Sequence, residues 1–421
     1  MKNEFKFFLI VITIALFASS CTSTKRINRI NTASSYVDEY SGKFLKHQIY
    51  HQNDSMSELV LQIKSAMIPG LKEKPLEVYS LMTLNYEVFT SMKKKDIHQS
   101  DSYKLNEILS YDQLNEGGVE LKIPLKLYEN TSYVLILSMK DQANKKNYQK
   151  IIKLTKDRFS PENFRITNGE GALIWKHWLK KGDKMKVQFR YPKVDKIHMS
   201  YFEPKFSPAK SPYYESDSKN IELENAKVFE QFELSLTNGI SQVIELPKNG
   251  AYIFHDNKDL IQGKLITMFY NDFPKINKSS HQVFALRYLN DRKDFSKMLK
   301  DDPGHTIQEF WFFEGRTKER SEQMMKTYYN RVLRANELFT SYKEGWKTDR
   351  GMVFMIYGPP DVIYNEDDRE VWEYGANASY NDLRFDFMMT KTFLNNQEYL
   401  LIRSYDYKKS WHKVVENWRN E

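Results

Sequence analysis

The chain has 421 residues, a formal net charge of +8, and 28% charged and 41% hydrophobic residues, the balance of an ordinary globular protein. Its excess lysine is scattered, with Lys93–Lys95 the longest run, rather than clustered with aromatics on one element, which argues against a nucleic-acid partner. A chain of about 400 residues exceeds what one core supports, so two or three domains are expected.

The first twenty residues read as a signal peptide. Lys2 and Lys6 give a positive start, and Phe7 to Phe17 give an apolar run of eleven residues. That is short of the roughly 20 needed to span a bilayer. Ala18, Ser19 and Ser20 then lead into Cys21, the only cysteine. Small residues before a cysteine resemble the lipobox of bacterial lipoproteins, although Ala18 stands where leucine is usual. The resemblance implies an acylated (palmitate-bearing) Cys21 as the new N-terminus, with the membrane as a partner. Several acyl chains on one residue hold a protein firmly, and a lone cysteine leaves no internal disulfide to form. Loss of residues 1–20 lowers the formal charge to +7, a mild attraction to anionic headgroups. Residues 21–35 are polar and basic, which predicts a flexible tether. Acids beside such a cysteine resemble an export tag to the cell surface. Their absence points to a cell-envelope protein on the periplasmic face of the outer membrane.

Residues 36–160 predict a first antiparallel β-sandwich, because Val119, Leu121, Ile123 and Leu125 alternate with polar residues. Residues 161–287 predict a second, with candidate strands at 184–192, 196–204, 232–239, 241–255 and 263–270. Asn238-Gly239 and Asn249-Gly250 are turn signals, since both residue types tolerate positive φ. The two halves are compatible with two copies of one sandwich type.

Residues 288–421 change texture to α+β, with helices packed on an antiparallel sheet. One long helix is expected around Thr306–Glu344, where Tyr328, Val332, Ala335 and Phe339 form one apolar face. Gly345 stands where a helix end takes a residue at positive φ. Met352–Tyr357 reads as a strand, as do the stretches 370–375, 383–389 and 398–405, and 410–421 closes as an amphipathic helix.

Gly345-Trp346-Lys347-Thr348-Asp349 matches the signature of the GWxTD-domain family, and Arg350-Gly351 follows it directly. Tyr357-Gly358-Pro359-Pro360-Asp361, a strand around Trp372 and Tyr374, Phe310-Trp311 and the helix Tyr328–Asn336 also resemble family blocks. The family pattern tends to carry an Arg-Asp-Pro-rich turn between Trp311 and Tyr328, and this chain has no proline there. The resemblance implies an envelope lipoprotein of the Bacteroidetes type with sandwich domains before the signature, and no established activity. A fainter likeness is to small outer-membrane-assembly lipoproteins with two helices on a three-stranded sheet.

Chemistry is thin in these residues. Asp349 is the catalytic suspect, with Thr348, Arg350 and Arg331 as neighbours, yet Thr-Asp-Arg-Gly equally forms a type I turn whose side chains cap local amides. Trp346 reads as a core plug, and the prolines after Gly358 end a strand. His47 and His51 lack the His-Glu-x-x-His pattern of a zinc site, and neither a metal nor another cofactor is expected. Asp302-Pro303-Gly304 is turn chemistry, with Thr306 at the expected N-cap. The expectation is a non-enzymatic, lipid-anchored binding or scaffolding protein for envelope proteins or glycans. The alternative is a hydrolase of envelope polysaccharide or peptide with Asp349 at its site.

Overall fold

A computed structural model describes residues 27–37, 46–64, 81–92, 97–108, 110, 119–142, 145–203, 206–214, 227–258, 260–375, 383–390 and 398–420. The expected signal peptide (residues 1–20), Cys21, Lys93–Lys95 and Gly117-Gly118 lie outside them.

Seven strands build the first sandwich: β1 Lys46–His51, β2 Met56–Ile63, β3 Met82–Phe89, β4 Ile97–Lys104, β5 Val119–Lys126, β6 Thr131–Asp141 and β7 Lys146–Lys156. They form antiparallel sheets in the orders β1-β2-β5 and β4-β3-β6-β7. Leu59, Leu61, Ile123 and Leu125 of one sheet meet Leu84, Tyr86, Leu135 and Leu137 of the other. β6 departs from simple alternation: Val134 and Ile136, on its outer face, are buried too. They are covered by Ile27, which packs there with Phe89 and Met92. A strand apolar on both faces is one that is covered on both faces.

The second β region uses β8 Phe164–Asn168, β9 Trp178–Leu179, β10 Lys184–Phe189, β11 Lys196–Phe202, β12 Glu230–Thr237, β13 Ile240–Ser241, β14 Ile244–Glu245, β15 Gly250–His255 and β16 Lys264–Met268. These are one continuous sheet, ordered β14-β10-β13-β12-β11-β15-β16-β9 with β8 on β10. It curls so that Ile166, Val187 and Phe189 share a core with Met199, Tyr252, Phe254 and Ile266. Asn238-Gly239 makes the expected two-residue turn, with φ of 52° and 77° and Thr237 opposite Ile240. Asn249-Gly250 does not. Gly250 has φ 147° at the start of β15, where a Cβ would strike Tyr201 and the Phe202 carbonyl.

The curled sheet covers the outer face of the three-stranded sheet through polar contacts. Arg165 bonds Glu58 at 2.5 Å, Trp175 donates to Glu120 at 2.9 Å, and Arg190 bridges Asp54 (2.8 Å) and Glu129. Beside them, Lys156 is fully buried and donates to the carbonyls of Met56 (3.0 Å) and Leu127 (2.8 Å) and to Ser57 Oγ (3.2 Å). His51, also fully buried, meets Ser57 Oγ at 2.8 Å.

The C-terminal part carries α1 Ser279–Ala285, α2 Arg292–Met298, α3 Pro303–Gly315, α4 Lys318–Phe339, α5 Asp349–Tyr357 and α6 Tyr407–Asn420. They pack around an antiparallel meander of β17 Val362–Asn365, β18 Arg369–Tyr374, β19 Leu383–Thr390 and β20 Glu398–Leu401. The expected long helix is broken into α3 and α4: Arg316 turns left-handed (φ 61°) and Thr317 caps the second helix. Asp302, not Thr306, is the N-cap of α3, accepting from His305 N at 2.9 Å with Pro303 in the first turn. Tyr328, Val332, Ala335 and Phe339 do form the buried face of α4.

One expected strand is a helix. Met352–Tyr357 lies in α5, with every one of these residues buried. A short apolar run does not itself distinguish a buried strand from a buried helix. Here Thr348 caps the start, and Gly358 (φ 84°) ends it by donating to Phe354 O at 2.9 Å.

Residues 27–35, expected within the flexible tether of residues 21–35, are instead docked, and Tyr36 continues the same segment. Asn31 donates to Asp361 O at 3.2 Å and accepts from Ile363 N at 3.0 Å, and Thr32 N donates to Ile363 O at 3.0 Å. Ser35 Oγ donates to Gln149 O on β7 at 2.9 Å, and the Tyr36 ring lies 5.5 Å from Phe339 and 5.7 Å from Trp372. This strap is therefore wedged between the first sandwich and the edge of β17. Short side-chain and backbone bonds to an open strand edge outweigh the entropy that a polar segment otherwise keeps.

Candidate functional site

Gly345–Lys347 is a single 3-10 turn that lies against the end of α4. Gly345 is there for closeness, not for positive φ: a Cβ would run into the Ala335 carbonyl. Its N–H donates to Thr340 Oγ1 at 2.9 Å, and the next N–H, of Trp346, donates to Asn336 Oδ1 at 3.2 Å. Gly351 stacks in turn on Gly345, whose carbonyl a Cβ at 351 would strike. Two glycines thus allow three backbone segments to touch.

Trp346 is buried, with its ring edge-on to Phe284 (5.9 Å) and Tyr288 (6.1 Å). Thr348 has two bonds, accepting from Gly351 N at 3.0 Å and donating to Gly345 O at 2.7 Å. The expected type I turn at Thr348–Gly351 is therefore the capped first turn of α5.

Asp349, 6% exposed, does not bond its own turn. One oxygen accepts from Leu401 N at 2.7 Å, and both oxygens face the Arg403 guanidinium at 2.5 and 3.2 Å. The partner of Asp349 is thus Arg403, a residue the sequence did not mark, which also donates to Lys210 O at 3.1 Å. Arg350 pairs with Glu370 at 3.4 Å and lies over the Tyr399 ring at 4.1 Å. Glu370 also accepts from Trp372 Nε1 at 2.6 Å. Arg331 reaches neither carboxylate: it caps the carbonyls of Met355 (3.0 Å) and Ile356 (2.9 Å) and stacks on Trp418.

The second motif block is also tied into the fold. Tyr357 meets Ser410 Oγ at 3.2 Å, and Tyr374 OH donates to Gly358 O at 2.9 Å. Asp361 accepts from Gly375 N at 2.9 Å, and Pro360 is buried. Asp349 and Arg350 therefore face different partners, on β20 and β18. A cavity of about 60 Å³ opens beside Arg350, lined also by Thr340, Ser341, Thr348, Glu398 and Tyr399 but not by Asp349. It has room for a few waters, far below the roughly 300–1,000 Å³ of small-molecule pockets.

His47 and His51 both lie on β1, where four residues separate them by about 13 Å, too far apart to share a metal ion. Burial, and then the nearby charges of Lys156 and Arg190, hold the His51 imidazole down to about 3. Burial likewise lowers the Lys156 ammonium to about 8. Among the described residues no group of three or more His, Cys, Asp or Glu side chains is arranged to hold a metal ion, and no helix is long and apolar enough to cross a membrane.

No curated protein matches the chain. Among solved structures it is similar to the C-terminal domain of the AgI/II polypeptide BspA of Streptococcus agalactiae, with 9% identity over 55% of this chain and 98% of that one, at a TM-score of 0.19. BspA_C_WT matches with the same identity, coverage and TM-score. A TM-score this low carries no argument about fold or function. The family model of the GWxTD domain matches residues 250–420, beginning at β15 and containing the motif turn, its Arg403 partner and the four-stranded meander. Residues 250–420 of this chain are a GWxTD domain.

Proposed function

We propose that the protein is a non-enzymatic binding or scaffolding module of the cell envelope, held to the membrane through an acylated Cys21 on the periplasmic face of the outer membrane. The observation that carries this reading is the use of the motif itself. Thr348, Asp349 and Arg350 have their polar atoms engaged by the fold, beside a cavity of only about 60 Å³. A hydrolytic Asp349 would need room for substrate and a second group facing the same space, and its neighbours here are Arg403 and a backbone amide.

A partner surface is better sought on α3. Phe312 and Phe313 are 63% and 79% exposed, adjacent on a helix whose other face is core. Isolated exposed apolar residues are normal, but two neighbouring phenylalanines this open suit a protein partner. The test is a photo-crosslinking residue at position 313 in the full chain, activated in intact membranes. Discrete adducts that vanish in Phe312→Ser support the proposal. A protein that stays membrane-bound and gives no adduct from this helix overturns the scaffolding role assigned to it.

A further inference from the structure

We infer that residues 209–214 and the start of α6 form a tyrosine–lysine face that binds an acidic polysaccharide, a chain of sugars bearing carboxylates. This face is separate from α3, and its binding needs neither Phe313 nor Cys21. The face begins at the motif. Arg403, paired with Asp349, donates to Lys210 O at 3.1 Å, and Ala209 N donates to Lys347 O at 2.9 Å. Ser404 N donates to Pro212 O at 3.2 Å, so residues 209–214 lie along the chain that leads into α6. The motif side chains thus point inward, and the bonds around them set two surface segments side by side.

Both segments expose the same chemistry. Tyr405 is 60% and Tyr214 55% exposed, and each ring carries a lysine. Lys408 Nζ lies 4.9 Å from the Tyr405 ring centre and donates to its hydroxyl at 3.1 Å, and Lys210 Nζ lies 5.0 Å from the Tyr214 ring centre. Tyr213 joins the segments, its ring edge-on to the exposed His412 at 5.5 Å. Lys409 and Lys413 are exposed on the same helix. From Ser404 to Asn420 the acids are Asp406, which accepts from Ser404 Oγ at 2.9 Å, and Glu416. A tyrosine is rigid, apolar on its ring faces and polar at its tip, so it gives a large contact at low entropy cost. A sugar ring matches it, with C–H groups on its faces and hydroxyls around its rim. The charge is selected by the cations being lysines. Such point charges on flexible stems suit single carboxylates spaced along a chain, whereas phosphate favours the forked donors of arginine.

The test is affinity gel electrophoresis of the full chain in polygalacturonate, with dextran and polyglutamate gels in parallel. Retardation by polygalacturonate is expected, with much less in the other two. Tyr405→Ser and Lys408→Gln should each weaken it about five- to tenfold. Lys318→Gln, at an exposed lysine at the start of α4, should leave it unchanged. Equal unfolding midpoints confirm that these surface variants fold. No retardation, retardation that Tyr405→Ser and Lys408→Gln leave intact, or an equal loss in Lys318→Gln overturns the inference. Equal retardation by dextran or polyglutamate overturns it too, the latter in favour of an acidic protein segment. Adducts at position 313 test the α3 surface separately, so either reading can fail alone.

Discussion

Asp349 and Arg403, 54 residues apart, form a buried two-pronged pair that fastens the start of α5 to the segment just after β20. Their side chains are 6% and 12% exposed, so neither charge has water to fall back on. Removing one partner of a buried pair leaves the other charge uncompensated, typically a loss of about 3–5 kcal/mol. Asp349→Asn should therefore lower the unfolding free energy extrapolated from urea titrations by that order, and a double-mutant cycle with Arg403→Met should show strong coupling. A stably folded Asp349→Asn protein that loses a cellular phenotype kept by Trp346→Phe would instead make Asp349 functional.

The two motif glycines give a prediction with an unusual sign. In an ordinary helix, Gly→Ala is stabilising by about 1 kcal/mol. Gly351 lies inside α5, yet a Cβ there would meet the carbonyl of Gly345 and the Trp346 Cα. Gly351→Ala should destabilise by about 1–3 kcal/mol, as overpacked sites do. Thr348→Ala, which removes the cap, should cost about 0.5–2 kcal/mol. Thermal unfolding of the two variants checks both, and a stabilised Gly351→Ala would refute the close approach.

The strap should be separable from the body. Tyr36→Ala removes a ring packed against Phe339 and Trp372, and losses for buried aromatic truncations run to about 3–5 kcal/mol. Because the strap is peripheral, the expected effect is local release. Limited proteolysis should cut within residues 27–37 faster in the variant, while the mass of the remaining body stays protected.

Acid should weaken the seam between the first sandwich and the curled sheet. His51 titrates near 3 in the folded protein against about 6.5 unfolded. Below pH 6.5 the unfolded state takes up a proton that the folded state refuses. The stability associated with neutral His51 is thus complete above pH 6.5 and is lost as pH falls toward 3, at about 1.4 kcal/mol per unit. The groups facing it are Ser57, Lys156 and Arg190, and neither cation can accept that proton. Denaturation midpoints from pH 7 to pH 4 should fall less steeply for His51→Asn than for the native chain. Parallel slopes would rule His51 out.

Much of the architecture was legible from pattern alone. Period-two alternation marked the strands around Val119–Leu125, the apolar face of Tyr328, Val332, Ala335 and Phe339 marked α4, and five motif residues located the GWxTD domain. Local chemistry is enough for these, because the preference of a strand face or helix face is written in neighbouring side chains. Only the tertiary structure decided the rest. Met352–Tyr357, an apolar run that would suit a buried strand as well, is a helix that Thr348 caps and Gly358 ends, so its six residues alone did not decide it. Gly345 is glycine because Ala335 lies against it, and the buried Asp349 carboxylate has partners because Arg403 and the Leu401 amide arrive from more than 50 residues along the chain. Residues 27–35, polar enough to read as part of a tether, are docked because the open edge of β17 offers them partners more than 300 positions away. Contacts at that separation leave no periodic trace in the sequence, so the fold alone reveals them.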